Sequence, residues 1–181
     1  MRWIVWIILV YLAVAVQNVL GILLCLRTEW LGDIRPDVLA ALGVFAVLSV
    51  RGLPDAIIAC WLLGLGLDLT NGQGVVGPMP LACSAAAYVL FKIRDSFFRD
   101  RVSSQIFLTT LFALLAHAIW ITLQLLLAFR DGRWDLYGRW LLQACMLALF
   151  SGLLAPVFFA VLTRCSRWLI APAGGRGLRD R

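Results

Sequence analysis

The chain has 181 residues, is 62% hydrophobic and only 14% charged, and carries a formal net charge of +6. With a mean hydropathy of +0.92, it has too little polar surface to cover a soluble domain of this length, so the bilayer must solvate much of it. The Lys and Arg residues fall between apolar runs, so the positive charge reads as a membrane-topology signal rather than a nucleic-acid footprint.

The first apolar run covers residues 3–26. Arg2 and the Ala13-Val14-Ala15 triplet imitate a cleaved signal peptide. The run continues to Leu26, however, beyond the roughly 7–15 residues of a signal core, and reads as an uncleaved span. A second run follows Pro36 and covers residues 37–50, and a third covers 55–70. The fourth, 78–92, opens on Pro78; the fifth and sixth cover 105–129 and 140–163. Pro36 and Pro78 suit the first turn of a helix, where proline's missing N–H costs nothing. Pro156, inside the sixth run, predicts a kink.

Residues 38–50 give roughly 20 Å of helix against a hydrocarbon core of about 30 Å. The second and third runs therefore read either as two short spans or as a re-entrant hairpin with Arg51 at its tip. The cost of a charge inside the bilayer favours two spans. The expected fold is all-α: one six-helix transmembrane domain over residues 1–170 and a disordered basic tail over 171–181. Six helices of about 20 residues leave no room for a separate globular domain. With the N-terminus inside, eleven of the 16 Lys and Arg fall on the inner side, which places both termini in the cytoplasm. Trp3, Trp6, Trp30, Trp134, Trp140 and Trp168 lie near the ends of the runs and read as interfacial anchors.

Ala56, Cys60, Gly64 and Asp68 recur every four residues and so share one helical face. Three small residues allow another backbone to approach closely, and the stripe ends in a carboxylate that needs a partner. Candidates are backbone N–H groups at the start of the fourth run, Asn71, or an Arg of the last outer loop. The plainer reading of Asp68 is a local helix cap; the alternative is a role in assembly or partner binding. Gly72-Gln73-Gly74-Val75-Val76-Gly77 matches G-x-G-x-x-G, but a membrane helix precedes it instead of a strand, so the glycines read as a tight turn and not as a nucleotide site.

Thr110, His117 and Gln124 form a polar stripe on the fifth run, expected to hydrogen-bond to neighbouring helices, as are Gln17, Asn18 and Gln143. The five Cys show no metal-site spacing and read as small packing residues without disulfides. Residues 92–101 form a basic, aromatic inner loop suited to anionic headgroups, and residues 130–137 suit an interfacial turn. No catalytic constellation, cofactor motif or metal-ligand set is present in the sequence, so no enzyme is expected.

From Pro36 to Arg94 the sequence resembles the MreD family of bacterial rod-shape proteins. The shared pattern is a short first pair of helices, then an apolar run ending in Gly-x-x-x-Asp, here Gly64 to Asp68. A glycine turn at Gly72, Gly74 and Gly77 follows, then a small-residue helix over 82–88 and a basic exit from Lys92 to Arg101. The two prolines around Met79 depart from the pattern. The resemblance implies a non-enzymatic subunit of the cell-elongation complex in the bacterial inner membrane. It implies binding to MreC and, through it, to RodA, the elongation transpeptidase and MreB. It also implies a fold similar to the six-helix substrate-binding component of energy-coupling-factor transporters. The expected assembly surface comprises Ala56, Cys60, Gly64, Asp68, Asn71, Gly72, Gly74 and Gly77. The competing expectation is a vitamin-type transporter component, which would need an outward cavity between the helices.

Overall fold

A computed structural model of the chain describes residues 3–28, 32–71, 77–94, 102–128 and 137–169. The tail 171–181, most of the 92–101 loop and the loop before residue 137 lie outside the described residues. Among the described residues there are six helices: α1 (Trp3–Leu23), α2 (Val38–Ser49), α3 (Leu53–Asn71), α4 (Pro78–Ile93), α5 (Val102–Ala128) and α6 (Tyr137–Leu169). Between α1 and α2 the chain makes a short antiparallel pair, β1 (Leu26–Thr28) and β2 (Gly32–Ile34), with Arg27 opposite Asp33.

Among the described residues, three helical segments are long and apolar enough to cross a bilayer: Trp3–Gly21, Val102–Leu127 and Tyr137–Arg164. Their flanks carry exposed Ile, Leu, Val and Tyr side chains, such as Ile4, Tyr11, Leu126 and Leu153. In water such a surface would be unfavourable; in lipid it is the expected exterior. Helix α6 continues through Pro156.

Helix α2 occupies the centre. Every residue from Val38 to Val47 is buried, with α1, α3, α4, α5 and α6 packed around it. Its sequence is apolar all round, as a helix surrounded by protein requires. Phe45 meets Phe159 of α6 edge-on, with centroids 6.0 Å apart. Gly43 lies under the Phe112 ring of α5, and Cys60 Sγ of α3 lies 3.8 Å from the Gly43 carbonyl oxygen. At 12 residues α2 is about 18 Å long, well short of the ~30 Å hydrocarbon core. Arg51, in the tight turn to α3, is exposed.

One expectation about anchoring is corrected here. Trp6 is fully buried, and its indole N–H donates to the Ala59 carbonyl oxygen at 3.3 Å. It joins α1 to α3 inside the bundle instead of sitting at the membrane interface. Its place in the first turns of an apolar run is compatible with either role, and only the position of α3 distinguishes them.

Candidate functional site

Among the described residues, two polar centres within the apolar interior bear on function. The first is the corner between α3 and α4. An ideal Cβ at Gly64 would lie 2.6 Å from Pro80 Cα and 2.7 Å from the Met79 carbonyl oxygen, so only glycine lets the two backbones approach this closely. One turn further on, Asp68 Oδ2 accepts from the N–H groups of Gly77, at 2.7 Å, and Met79, at 3.3 Å.

This carboxylate completes the start of α4. A helix begins with N–H groups that have no partner within the helix. In α4, Pro78 and Pro80 have no N–H at all. Gly77 and Met79 supply the donors that remain there, and Asp68 takes both. The Leu81 N–H then reaches back to the Gly77 carbonyl oxygen at 3.5 Å. Gly77 itself has φ +125°, a conformation that L side chains rarely adopt. The two prolines around Met79 thus work together with Asp68 to leave no first-turn donor unsatisfied.

Of the residues expected on the assembly stripe, Ala56, Cys60 and Gly64 are buried inside the bundle and Asp68 is half-buried. Gly77 joins Asp68 directly. Gly72 and Gly74 lie outside the described residues, as does the side chain of Asn71.

The second centre surrounds the start of α2, and it joins residues far apart in the chain. Asp37 is the N-cap, with Oδ1 accepting from Leu39 N–H at 3.0 Å and Ala40 N–H at 3.2 Å. Gln17 of α1 lends Oε1 to Val38 N–H at 2.7 Å and to Leu39 N–H at 3.2 Å. The Asp37 N–H donates to Ser151 Oγ of α6 at 2.7 Å, and that hydroxyl donates to the Leu147 carbonyl oxygen. All four amide groups at the start of α2 therefore have an acceptor. Ser151 lies roughly 20 Å along α6 from Tyr137, and a buried amide left without an acceptor there would be costly.

At the same level a cavity of about 160 Å³ opens between the helices, lined by Gln17, Asn18, Arg35, Asp37 and His117 over apolar residues that include Leu67 and Met79. Its presence follows from the shortness of α2, which begins partway down the bundle and leaves space beyond its first turn. His117 Nδ1 lies 2.9 Å from the Ala113 carbonyl oxygen. A carbonyl only accepts, so Nδ1 carries the hydrogen and Nε2 is the remaining polar atom of the ring.

The sequence signals Gln17 and His117 as polar residues in apolar runs, but it does not single out Asp37. The Pro36-Asp37 pair ahead of an apolar run is an N-cap signature that marks the residue in retrospect. Among the described residues no group of three His, Cys, Asp or Glu is placed to share a metal ion. Compared with known protein families, curated proteins and solved structures, the chain matches none.

Proposed function

We propose that this protein is a non-catalytic membrane scaffold of the bacterial cell-elongation complex, similar to MreD. In this reading it spans the inner membrane six times with both termini in the cytoplasm, and it binds MreC. The observation that supports the reading is the α3–α4 corner. Gly64, Asp68 and Gly77 carry the resemblance, and they make a single joint by close backbone contact and a shared carboxylate. A scaffold needs a fixed surface more than a reactive group, and this joint fixes one.

Because Ala56, Cys60 and Gly64 face inward, they would set the spacing of α3 and α4 and not touch a partner. Trp61, Leu69 and Leu81 are exposed on the outside of the same corner and would meet the apolar membrane segment of MreC. The test is co-expression of the full chain with MreC at native levels, followed by affinity purification in mild detergent. A stable complex is expected, weakened when Leu69 and Leu81 are both changed to Ala. Failure of the unmodified pair to co-purify would overturn the proposal.

The competing reading, a vitamin-type transporter component, requires a pocket in the range of about 300–1,000 Å³. Among the described residues, the cavity beside α2 is about 160 Å³, below that range, which favours the scaffold reading.

A further inference from the structure

We infer that two copies of this chain pair in the membrane along the outer face of α1, with Asn18 meeting Asn18 and Tyr11 meeting Tyr11 across a two-fold axis. This goes beyond the scaffold reading and does not depend on it. It requires only that α1 crosses the bilayer, as its length and hydropathy allow.

Only 17% of the apolar window in α1 is buried, and the uncovered side is not uniformly apolar. Tyr11 is 78% exposed and Asn18 is exposed. Among the described residues, neither side chain makes a hydrogen bond. Tyr11 lies about 12 Å from the first residue of α1 and Asn18 about 8 Å from the last, so both fall within a hydrocarbon core of about 30 Å. Lipid tails offer neither group a hydrogen-bond partner, whereas another helix does. Asn18 also borders the cavity beside α2, but Tyr11 does not, so the cavity does not serve the two together.

The spacing sets the shape of the partner. Ile4, Ile8, Tyr11, Ala15 and Asn18 follow one another in steps of four and three, and all five are exposed. That alternation is the seam of a left-handed helix pair. On the other side of α1, Trp6, Val10 and Val14 are buried against the bundle, so the seam is turned away from the protein's own core.

The occupant is a second copy because the polar groups of the seam complement themselves. Copies of one chain insert in the same orientation, so their α1 helices run parallel and equal positions lie at equal depth. Each seam residue then faces its own counterpart. An amide carries donors and an acceptor, and a phenol one donor and an acceptor, so each bonds to its like. Ala15, between them, lets the two backbones come close. Residues 3–23 include no charged side chain, so nothing repels across the axis. One Asn in such a seam also fixes register.

The test uses the full chain, fused at its C-terminus to a donor or an acceptor fluorophore, in phosphatidylcholine vesicles over a range of protein-to-lipid ratios. Energy transfer beyond random proximity should rise along a single monomer–dimer curve. Asn18→Leu should raise the dissociation constant about 3–30-fold, and Tyr11→Phe about threefold. Val16→Leu, off the seam, should leave the curve unchanged. Oxidative cross-linking gives an independent reading. Ala15→Cys should yield a disulfide-linked dimer above the level of the unmodified chain, and Val16→Cys should not. The inference is overturned if the unmodified chain stays monomeric at every ratio, which would leave α1 to lipid or to a different protein. It is also overturned if Asn18→Leu and Tyr11→Phe both pair like the unmodified chain, or if Val16→Cys cross-links as well as Ala15→Cys. Should Asn18→Leu not fold, Tyr11→Phe and the cross-linking decide.

Discussion

Helices α1 and α2 are both strongly apolar, α1 being interrupted only by Gln17 and Asn18, yet they end up in opposite environments. Helix α1 turns Ile4 and Tyr11 outward, 77% and 78% exposed, while α2 is buried from Val38 to Val47. Length explains part of this. The 21 residues of α1 reach about 31 Å, enough for both ends to meet headgroups. The 12 residues of α2 cannot do so, and at least one of its ends must find polar partners within the protein. Side-chain size explains the rest. Helix α1 is rich in Ile, Leu, Val and Trp, whereas α2 has Ala40, Ala41, Gly43 and Ala46, which let five helices close around it. Both helices are strongly apolar; length and bulk decide which one is surrounded.

The strongest way to break this arrangement is at the far end of α2. The Arg94 guanidinium donates to the carbonyl oxygens of Val47 at 2.8 Å and Val50 at 2.5 Å, while stacking 3.7 Å from the Phe91 ring centroid. Arg94→Ala leaves those carbonyls without a donor at the negative end of the helix dipole. A loss of about 3–5 kcal/mol is expected from two charge-assisted bonds, read as a large drop in folded yield and melting temperature in detergent. Arg94→Lys should recover only part of it, because a single ammonium cannot reproduce the planar fork.

Next in size is Gly64→Ala. Its methyl group would meet the α4 backbone, which cannot rotate away as a side chain can, so a cost of about 2–3 kcal/mol is expected. Gly138→Ala is the control, since nothing lies within 4 Å of a Cβ there; it should be neutral or slightly stabilising by thermal melt. The third test compares α1 and α2 directly. Ala41→Leu on α2 should cost about 1–3 kcal/mol by overpacking. Leu12→Ala on α1, at a lipid-facing site, should change stability by no more than about 0.5 kcal/mol. Equal costs for these two would remove the distinction between the central and peripheral helices.

The sequence made some of this legible and not the rest, for physical reasons. Proline and loop residues mark helix boundaries locally, so the start of α4 at Pro78 was readable, and the run before it ended where the Asp68 carboxylate required a partner. The start of α4 was among the candidate partners for Asp68 because a carboxylate in an apolar run needs a donor and a helix start presents free N–H groups. The burial of Trp6 was not readable, because an apolar run without a polar face does not say which side meets protein. Nor was the cluster around Asp37, whose partners Gln17 and Ser151 come from helices separated from it by 20 and 114 residues of chain. The shortness of α2 and its alanines were visible, but as an ambiguity about spanning; the centrality they imply follows only once the other helices are placed.

The two ends of α2 also set an order on its assembly. The chain is made from its N-terminal side, so of the six described helices α2 follows α1 and precedes the four that pack on it later. Its last carbonyl groups wait for Arg94, which is made 44 residues after Val50, and its first amide waits for Ser151. Until then Asp37 and Gln17 can quiet one end only. The helix at the centre of the finished bundle is therefore made before α3 to α6 but is among the last to be secured. Truncated chains ending before residue 94 should hold residues 38–49 at the translocon or membrane surface instead of burying them.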